Sequence, residues 1–381
     1  MWRARLITIR LLPLGLMGCL APLPPAVLDC HSGSLTPPSL IPSCLSAAGD
    51  LSTVDQASAE SLVAVAFSVR DSLSRRPATD SAGSAAEITE ALQQLGDFYG
   101  GGAFVDSARF DRMLDHLAVA LEHARSTLND YGGRMFPVRT PWLSWHNYPG
   151  LGVYFQPVNT MQEVEWLMPR PDASDDSIVA MSERLYQYAI WREADGRRFP
   201  VWEYEFPWTS GGVSVTAPWI SGLAEGLGLA LFADAYRRTG SAVWRARTYE
   251  VLNAMYVPWQ DGGVLLPDTS HGYWWEEYHP NVQVWNGSAW ALLGVGYAAQ
   301  VTGDPEIVRL FLRGIDALKY YTPFYDTGTW TLYSRTQGNN TVAYHMLCIT
   351  IMDAFYARTG DPWFKVIADR WRTYVPPPGV Q

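Results

Sequence analysis

The chain has 381 residues, 48% of them hydrophobic and only 17% charged, against roughly 25% charged in an ordinary soluble protein, and it carries 17 Trp and 20 Tyr. That length and apolar content exclude a disordered chain and permit a substantial core in one large body or two domains. A formal charge of −10 argues against a nucleic-acid ligand, which calls for a basic stripe; a polyanionic substrate would need a local Arg or Lys cluster to receive it.

Residues 1–19 read as an export signal. Arg3, Arg5 and Arg10 precede an apolar run from Leu11 to Met17 that is too short to span a membrane permanently. Leu16-Met17-Gly18-Cys19 resembles the bacterial lipobox, so Cys19 is expected to be lipidated and to anchor a cell-envelope lipoprotein; simple secretion is the other reading. Residues 20–50 form a Pro/Ser-rich spacer in which Cys30 and Cys44 can pair in an oxidising compartment, whereas Cys348 sits in an apolar helical pattern and reads as core. No CxxC or HxxxH spacing suggests zinc.

From residue 51 to 381 the pattern is one of helices. Ser52 to Arg75, Ala85 to Tyr99, Ser107 to Asn129 and Ser177 to Glu193 are expected to be helical, with Met168 to Phe199 a short helical connection. One unit then recurs from Ser221, Asn286 and Val342. An apolar helix rich in small residues runs into Thr239-Gly240, Thr302-Gly303 or Thr359-Gly360, and a second, amphipathic helix follows and ends at Pro258, Pro323 or Pro376. The glycines suit helix C-caps, and Asp304-Pro305 and Asp361-Pro362 suit the start of the next helix. Helical hairpins about 60 residues apart mean a stacked array, and first helices that are apolar all round belong inside it. The expected fold is mainly α, an (α/α) toroid with at most a small β portion; an open solenoid is the alternative.

Parallel inner helices gather the segments that enter their N-termini at one mouth. These are Phe206 to Trp219, Asp268 to Trp285 and Tyr325 to Asn340. Three polar clusters are expected to meet there: Glu276-Glu277-Tyr278-His279, Tyr333 with Arg335, and Tyr344-His345. Adjacent side chains of an extended segment diverge, so one of Glu276 and Glu277 is solvated or structural, and Glu277 is taken as the functional one. Tyrosine is a poor base near its ordinary pKa of ~10, but a neighbouring cation or His can make it a proton carrier, and Arg335 can neutralise a substrate carboxylate so that the adjacent C–H becomes more acidic. Trp219, Trp274, Trp275 and Trp285 are candidate sugar platforms, with core filling as the plain alternative for each; Asn286 and His345 join Arg335 as candidate substrate contacts.

YDTGTWTLYSR, YWWEEYH, VQVWNGSAWALLGVG, AYH at 343 to 345, FKVIADRWRTYV and the upstream GVYFQPVNTMQEVEWL together resemble the C-terminal catalytic domain of the D-glucuronyl C5-epimerases over about Gly150 to Val375. The resemblance implies an incomplete (α/α) barrel and an isomerase that inverts C5 of a hexuronic acid in an oligo- or polysaccharide by proton abstraction and return, with no redox cofactor. By motif it assigns catalytic roles to Glu277, Tyr278, Tyr333 and Tyr344, and places Tyr154 as a substrate contact. The rival readings are a polyuronate lyase sharing the C5 proton step, a glycoside hydrolase pairing Glu277 with Glu203, Glu205 or Glu225, and a non-catalytic surface glycan-binding protein.

Overall fold

The computed structural model describes residues 53–75, 82–100, 107–125, 134–137, 140–148, 151–167, 175–276 and 278–380. The expected export signal with Cys19, the spacer with Cys30 and Cys44, and Glu277 lie outside the described residues. No described helix is long and apolar enough to cross a membrane. Where the sequence was read as a single helical body from residue 51 onward, the contacts divide the chain into two compact units.

The unit that ends at Thr160 and also takes in Tyr204–Phe206 holds helices α1 (Thr53–Leu73), α2 (Ala82–Gly100) and α3 (Ser107–Ala124) and an antiparallel sheet of β1 (Arg134–Met135), β2 (Trp145–Tyr148) and β3 (Gly152–Phe155) in that order. Leu92, Leu95, Met113, Leu117, Trp145 and Phe155 fill its core. Arg112 and His116, one turn apart on α3, face inward and meet Glu205 at 3.0 and 3.2 Å. A buried carboxylate so paired avoids the several kcal/mol that an isolated charge would cost there.

Helix α4 (Pro157–Leu167) contains the boundary at Thr160, and the second unit is formed by the described residues of Met161–Glu203 and Pro207–Gln381. After α5 (Asp175–Gln187) the expected helical connection gives way to a hairpin, β4 (Ile190–Ala194) with β5 (Arg197–Val201). Its turn is Asp195-Gly196, with φ of 51° and 68°, the left-handed pair that a two-residue type I′ turn requires. A second hairpin, β6 (Trp208–Ser210) with β7 (Val213–Val215), turns on Gly211-Gly212 in the same way.

Three helical hairpins follow: α6 (Gly222–Thr239) with α7 (Ala242–Ala254), α8 (Trp285–Thr302) with α9 (Pro305–Tyr321), and α10 (Val342–Thr359) with α11 (Pro362–Arg372). Gly240, Gly303 and Gly360 close the first helices in the αL conformation, each donating its N–H to the carbonyl four residues back. Ser241, Asp304 and Asp361 cap the outer helices. Helices α6 and α8 are buried all round over their first three turns, and they approach closely because Gly226 faces Ala291, whose carbonyl oxygen would lie 2.7 Å from any Cβ. The array stops at α10, where Val342, Met346 and Tyr356 face outward. The unit is thus an incomplete (α/α) arrangement, mainly helical with small β additions.

Candidate functional site

The three inserts meet as the parallel helices require. In the second, Glu276 donates its backbone N–H to Val264 (2.9 Å) and accepts the Gly222 N–H at the start of α6 (2.8 Å). Its side chain, 1% exposed, turns to the start of α8: Oε1 accepts the N–H groups of Val284 (3.3 Å) and Tyr278 (3.4 Å). Val284 is the N-cap of α8 and offers no side-chain acceptor, so the Glu276 carboxylate supplies that end of the helix with its negative charge. Glu276 thus has a structural role at the start of α8.

Tyr278 is buried, and its phenolic oxygen accepts a hydrogen bond from Gln337 Nε2 (2.8 Å). The same amide donates to Ser210 Oγ (2.7 Å), so one side chain of the third insert ties together all three. Gln337 is held in turn by its own N–H, bonded to Ser334 Oγ (2.8 Å). It was missed from sequence; it sits in a polar turn, and its nearer partner, Tyr278, is 59 residues away. A phenol that accepts one hydrogen bond still carries a proton it can donate.

The third insert is laid against the second by an antiparallel bridge between Val284 and Ser334, with Trp285 N–H to the Tyr333 carbonyl (3.3 Å) and Arg335 N–H to the Val282 carbonyl (3.0 Å). Gln283 takes a left-handed φ of 51° beside the bridge, and its carbonyl accepts the Tyr325 hydroxyl (2.8 Å). Ser334 is buried, while Tyr333 and Arg335 on either side of it reach the surface. Tyr344, in the first turn of α10, meets Tyr333 edge to face with ring centres 5.3 Å apart. Thr341 fixes that turn by capping the Tyr344 N–H (3.2 Å). Arg335 is exposed, with its guanidinium carbon 4.7 Å over the Phe324 ring.

The remaining expected contacts divide differently. The four tryptophans present no open sugar platform: Trp219, Trp274, Trp275 and Trp285 are core residues at most 2% exposed, with Trp274 packed on Tyr321, Trp275 against Gly314 and Trp285 on Trp371. Two of the indole N–H groups are satisfied internally, Trp275 on the Met255 carbonyl and Trp285 on Thr322 Oγ1, both at 2.9 Å, whereas the buried Trp274 Nε1 has no hydrogen-bond partner. His345 is likewise buried, with both ring nitrogens engaged within the protein. Its Nε2 lies 3.0 Å from the Trp371 carbonyl and must donate to it, Nδ1 lies 2.8 Å from Thr331 Oγ1, and the ring stacks on Trp330 at 3.8 Å. Burial holds its pKa below the ordinary value and the imidazole neutral. Asn286 is buried in the first turn of α8 with both amide atoms lacking a hydrogen-bond partner. Tyr154 lies in the other unit, buried with its ring against His116, and burial pushes its pKa well above the ordinary range.

The carboxylates that a hydrolase would add to Glu277 are committed elsewhere. Glu203 pairs with Arg192 (2.8 Å), Glu225 accepts the Trp202 N–H (3.1 Å), and Glu205 belongs to the Arg112–His116 pair of the other unit.

Residues 196–373 match the family model described as D-glucuronyl C5-epimerase C-terminus. An uncharacterized protein of Methanocaldococcus jannaschii is 28% identical over 179 residues, covering 46% of this chain and 58% of its own length. A D-glucuronyl C5-epimerase of Caenorhabditis elegans is 25% identical over 177 residues, covering 41% of this chain and 29% of its own. A crystal structure of a sugar epimerase from a ruminal bacterium overlaps 75% of this chain and 73% of that one, with a TM-score of 0.42 and 14% identity. The chain thus spans less than two thirds of either curated relative. Residues 196–373, which carry the hairpin array and its inserts, are a C-terminal domain of the D-glucuronyl C5-epimerase family.

Proposed function

We propose that the chain is a carbohydrate epimerase that inverts C5 of a hexuronic acid within an oligo- or polysaccharide. The observation that carries this reading is the meeting of Tyr333 with Tyr344 beside an exposed Arg335, on a segment that Gln337 ties to Tyr278. Arg335 receives the uronate carboxylate. A base then takes the C5 proton, the electron pair left by the broken C–H bond delocalises into that carboxylate, and an acid on the opposite face gives C5 a proton back. Tyr333 and Tyr344 serve one face and Tyr278 the other, with Glu277 retained as a catalytic candidate by its motif alone. Family membership of residues 196–373 supports the reaction class.

Arg335 makes no ion pair with any described carboxylate, which suits a cation reserved for substrate in a chain of net charge −10. The test is incubation with a glucuronate-containing oligosaccharide, with products read by NMR and chromatography. Inversion gives the C5 epimer in a chain of unchanged length. An unsaturated end would assign the site to elimination, new reducing ends to hydrolysis, and tight binding with an unchanged glycan would leave a binding protein.

A further inference from the structure

We infer that the exposed face of α10 is the interface of a two-fold homodimer, in which α10 of a second copy, running antiparallel, takes the place of a further inner helix. The three hairpins align on Thr239-Gly240, Thr302-Gly303 and Thr359-Gly360, and the positions that hold each repeat to the next can be read across them. In α6 they include Gly226, which faces Ala291 of α8, and Arg237, whose Nε meets the Tyr297 hydroxyl at 3.2 Å. In α8 they include Trp285, edge to face on Trp371 of α11 with centres 5.4 Å apart, and Gly296, where an added Cβ would lie 3.1 Å from Cδ of Arg358 in α10. The matching residues of α10 are Met346, Ala357, Val342 and Asp353. Instead of holding another helix they reach the surface, Met346 at 53% and Val342 at 37% exposure. The third repeat thus presents, uncovered, the face that the first two bury against their successors.

That face continues an interface already built twice within the chain, so the surface that fits it is that of an inner helix. Helices α6 and α8 are buried all round over their first turns, which leaves α10 of a second copy. The stripe is self-complementary when two copies run antiparallel about Thr350. Its large residues, Val342 and Met346, lie in the first half of the helix, and the small ones, Ala354 and Ala357, in the second. Antiparallel pairing sets Met346 of each copy against Ala354 of the other, large into small, and brings the positive end of each helix beside the negative end of the other. Thr350 adds no unmet polar group, because its hydroxyl donates to the Met346 carbonyl (2.9 Å). The one carboxylate of α10, Asp353, is paired with Arg372, so two chains of net charge −10 can meet there without like charges opposed. An 18-residue helix spans ~27 Å, which makes a contact at the small, reversible end of the interface range, with a dissociation constant in the micromolar range.

The test is sedimentation velocity of the purified full chain over a range of concentrations. It compares wild type, Thr350→Glu, Met346→Glu, Met346→Glu combined with Ala354→Lys, and the control Leu312→Glu at an exposed position of α9. Wild type and Leu312→Glu should dimerise as concentration rises. Thr350→Glu, which opposes two carboxylates at the two-fold axis, and Met346→Glu should weaken the dimer by on the order of 100-fold. The double variant should recover most of that loss, since residue 346 of one copy meets residue 354 of the other. The substituted side chains all reach the surface, so thermal melts should match wild type. Wild type that stays monomeric throughout, or a dimer of unchanged strength in both single variants, overturns the inference. A dimer lost in the single variants and not recovered in the double variant overturns the antiparallel pairing. The outcome does not depend on which reaction the chain catalyses.

Discussion

Replacing Gly222 with Ala should damage the site by way of the fold. Gly222 opens α6 and bonds through its N–H to the Glu276 carbonyl; a Cβ there would fall inside van der Waals contact of that carbonyl, with its carbon at 3.0 Å and the Trp275 carbonyl carbon at 3.2 Å. The obstacle is backbone on both sides, so the 275–276 segment must retreat by several tenths of an ångström to ~1 Å. Overpacking of this kind costs about 1–3 kcal/mol. The retreat also draws the Glu276 carboxylate away from Val284 and Tyr278, and a misplacement of that size near a reaction centre can cost on the order of 100-fold in rate. Gly303→Ala is the matched control: its left-handed φ of 63° costs about 1 kcal/mol with a side chain, but nothing lies within 4 Å of the added carbon. Urea denaturation and C5 inversion rates should show both variants destabilised and only Gly222→Ala slowed by more than tenfold. Equal activity in the two variants would refute the claim that the α6 terminus positions the insert.

Gln337→Ala removes two hydrogen bonds at a half-buried position, so stability should fall by only about 1 kcal/mol in thermal melts, while the inversion rate drops further than that because Tyr278 loses its tie to the third insert. Burial depresses the pKa of His345, so the folded state takes up that proton later than the unfolded chain. Its contribution is fully present above the unfolded value near ~6.5 and is lost as pH falls through the folded value; the stability gap between wild type and His345→Gln should narrow on acidification. Asp326 is buried, which raises its pKa, but the Tyr374 hydroxyl, the Gly328 N–H, the Trp371 indole and Arg370 outweigh this and hold it below the usual carboxylate range. Asp326→Asn should cost about 1.5–3 kcal/mol by urea titration at neutral pH, and the difference should disappear as pH falls through the folded pKa of the wild-type carboxyl.

The hairpin array was legible because its punctuation is local. A glycine that must adopt φ near 65°, or an Asp-Pro pair that caps and starts a helix, acts within a few residues, and Gly303, Asp304 and Pro305 do so here as the sequence indicates. The gathering of the inserts followed from the parallel inner helices alone. The β4–β5 hairpin was missed although Asp195-Gly196 is a strong turn signal, because the apolar spacing of α5 runs on through Tyr188 and Ile190 into the first strand. Ring exposure was not legible at all. Trp275 is core because the Met255 carbonyl and Gly314 lie where they do, while Phe324 is at the surface, and no local pattern separates the two. Gln337 lay beyond sequence for the same reason: its role is defined by partners in two other inserts.

The central claim, that tyrosines beside Arg335 exchange the C5 proton of a bound uronate, is tested most directly by the deuterium content at C5 of the inverted product at low conversion in heavy water. The account predicts close to one deuteron per inverted uronate for wild type and a large loss of inversion in Tyr344→Phe, whose ring still meets Tyr333 but has no hydroxyl. Inverted product without deuterium at C5, or full exchange activity in Tyr344→Phe together with Tyr333→Phe and Tyr278→Phe, would contradict it.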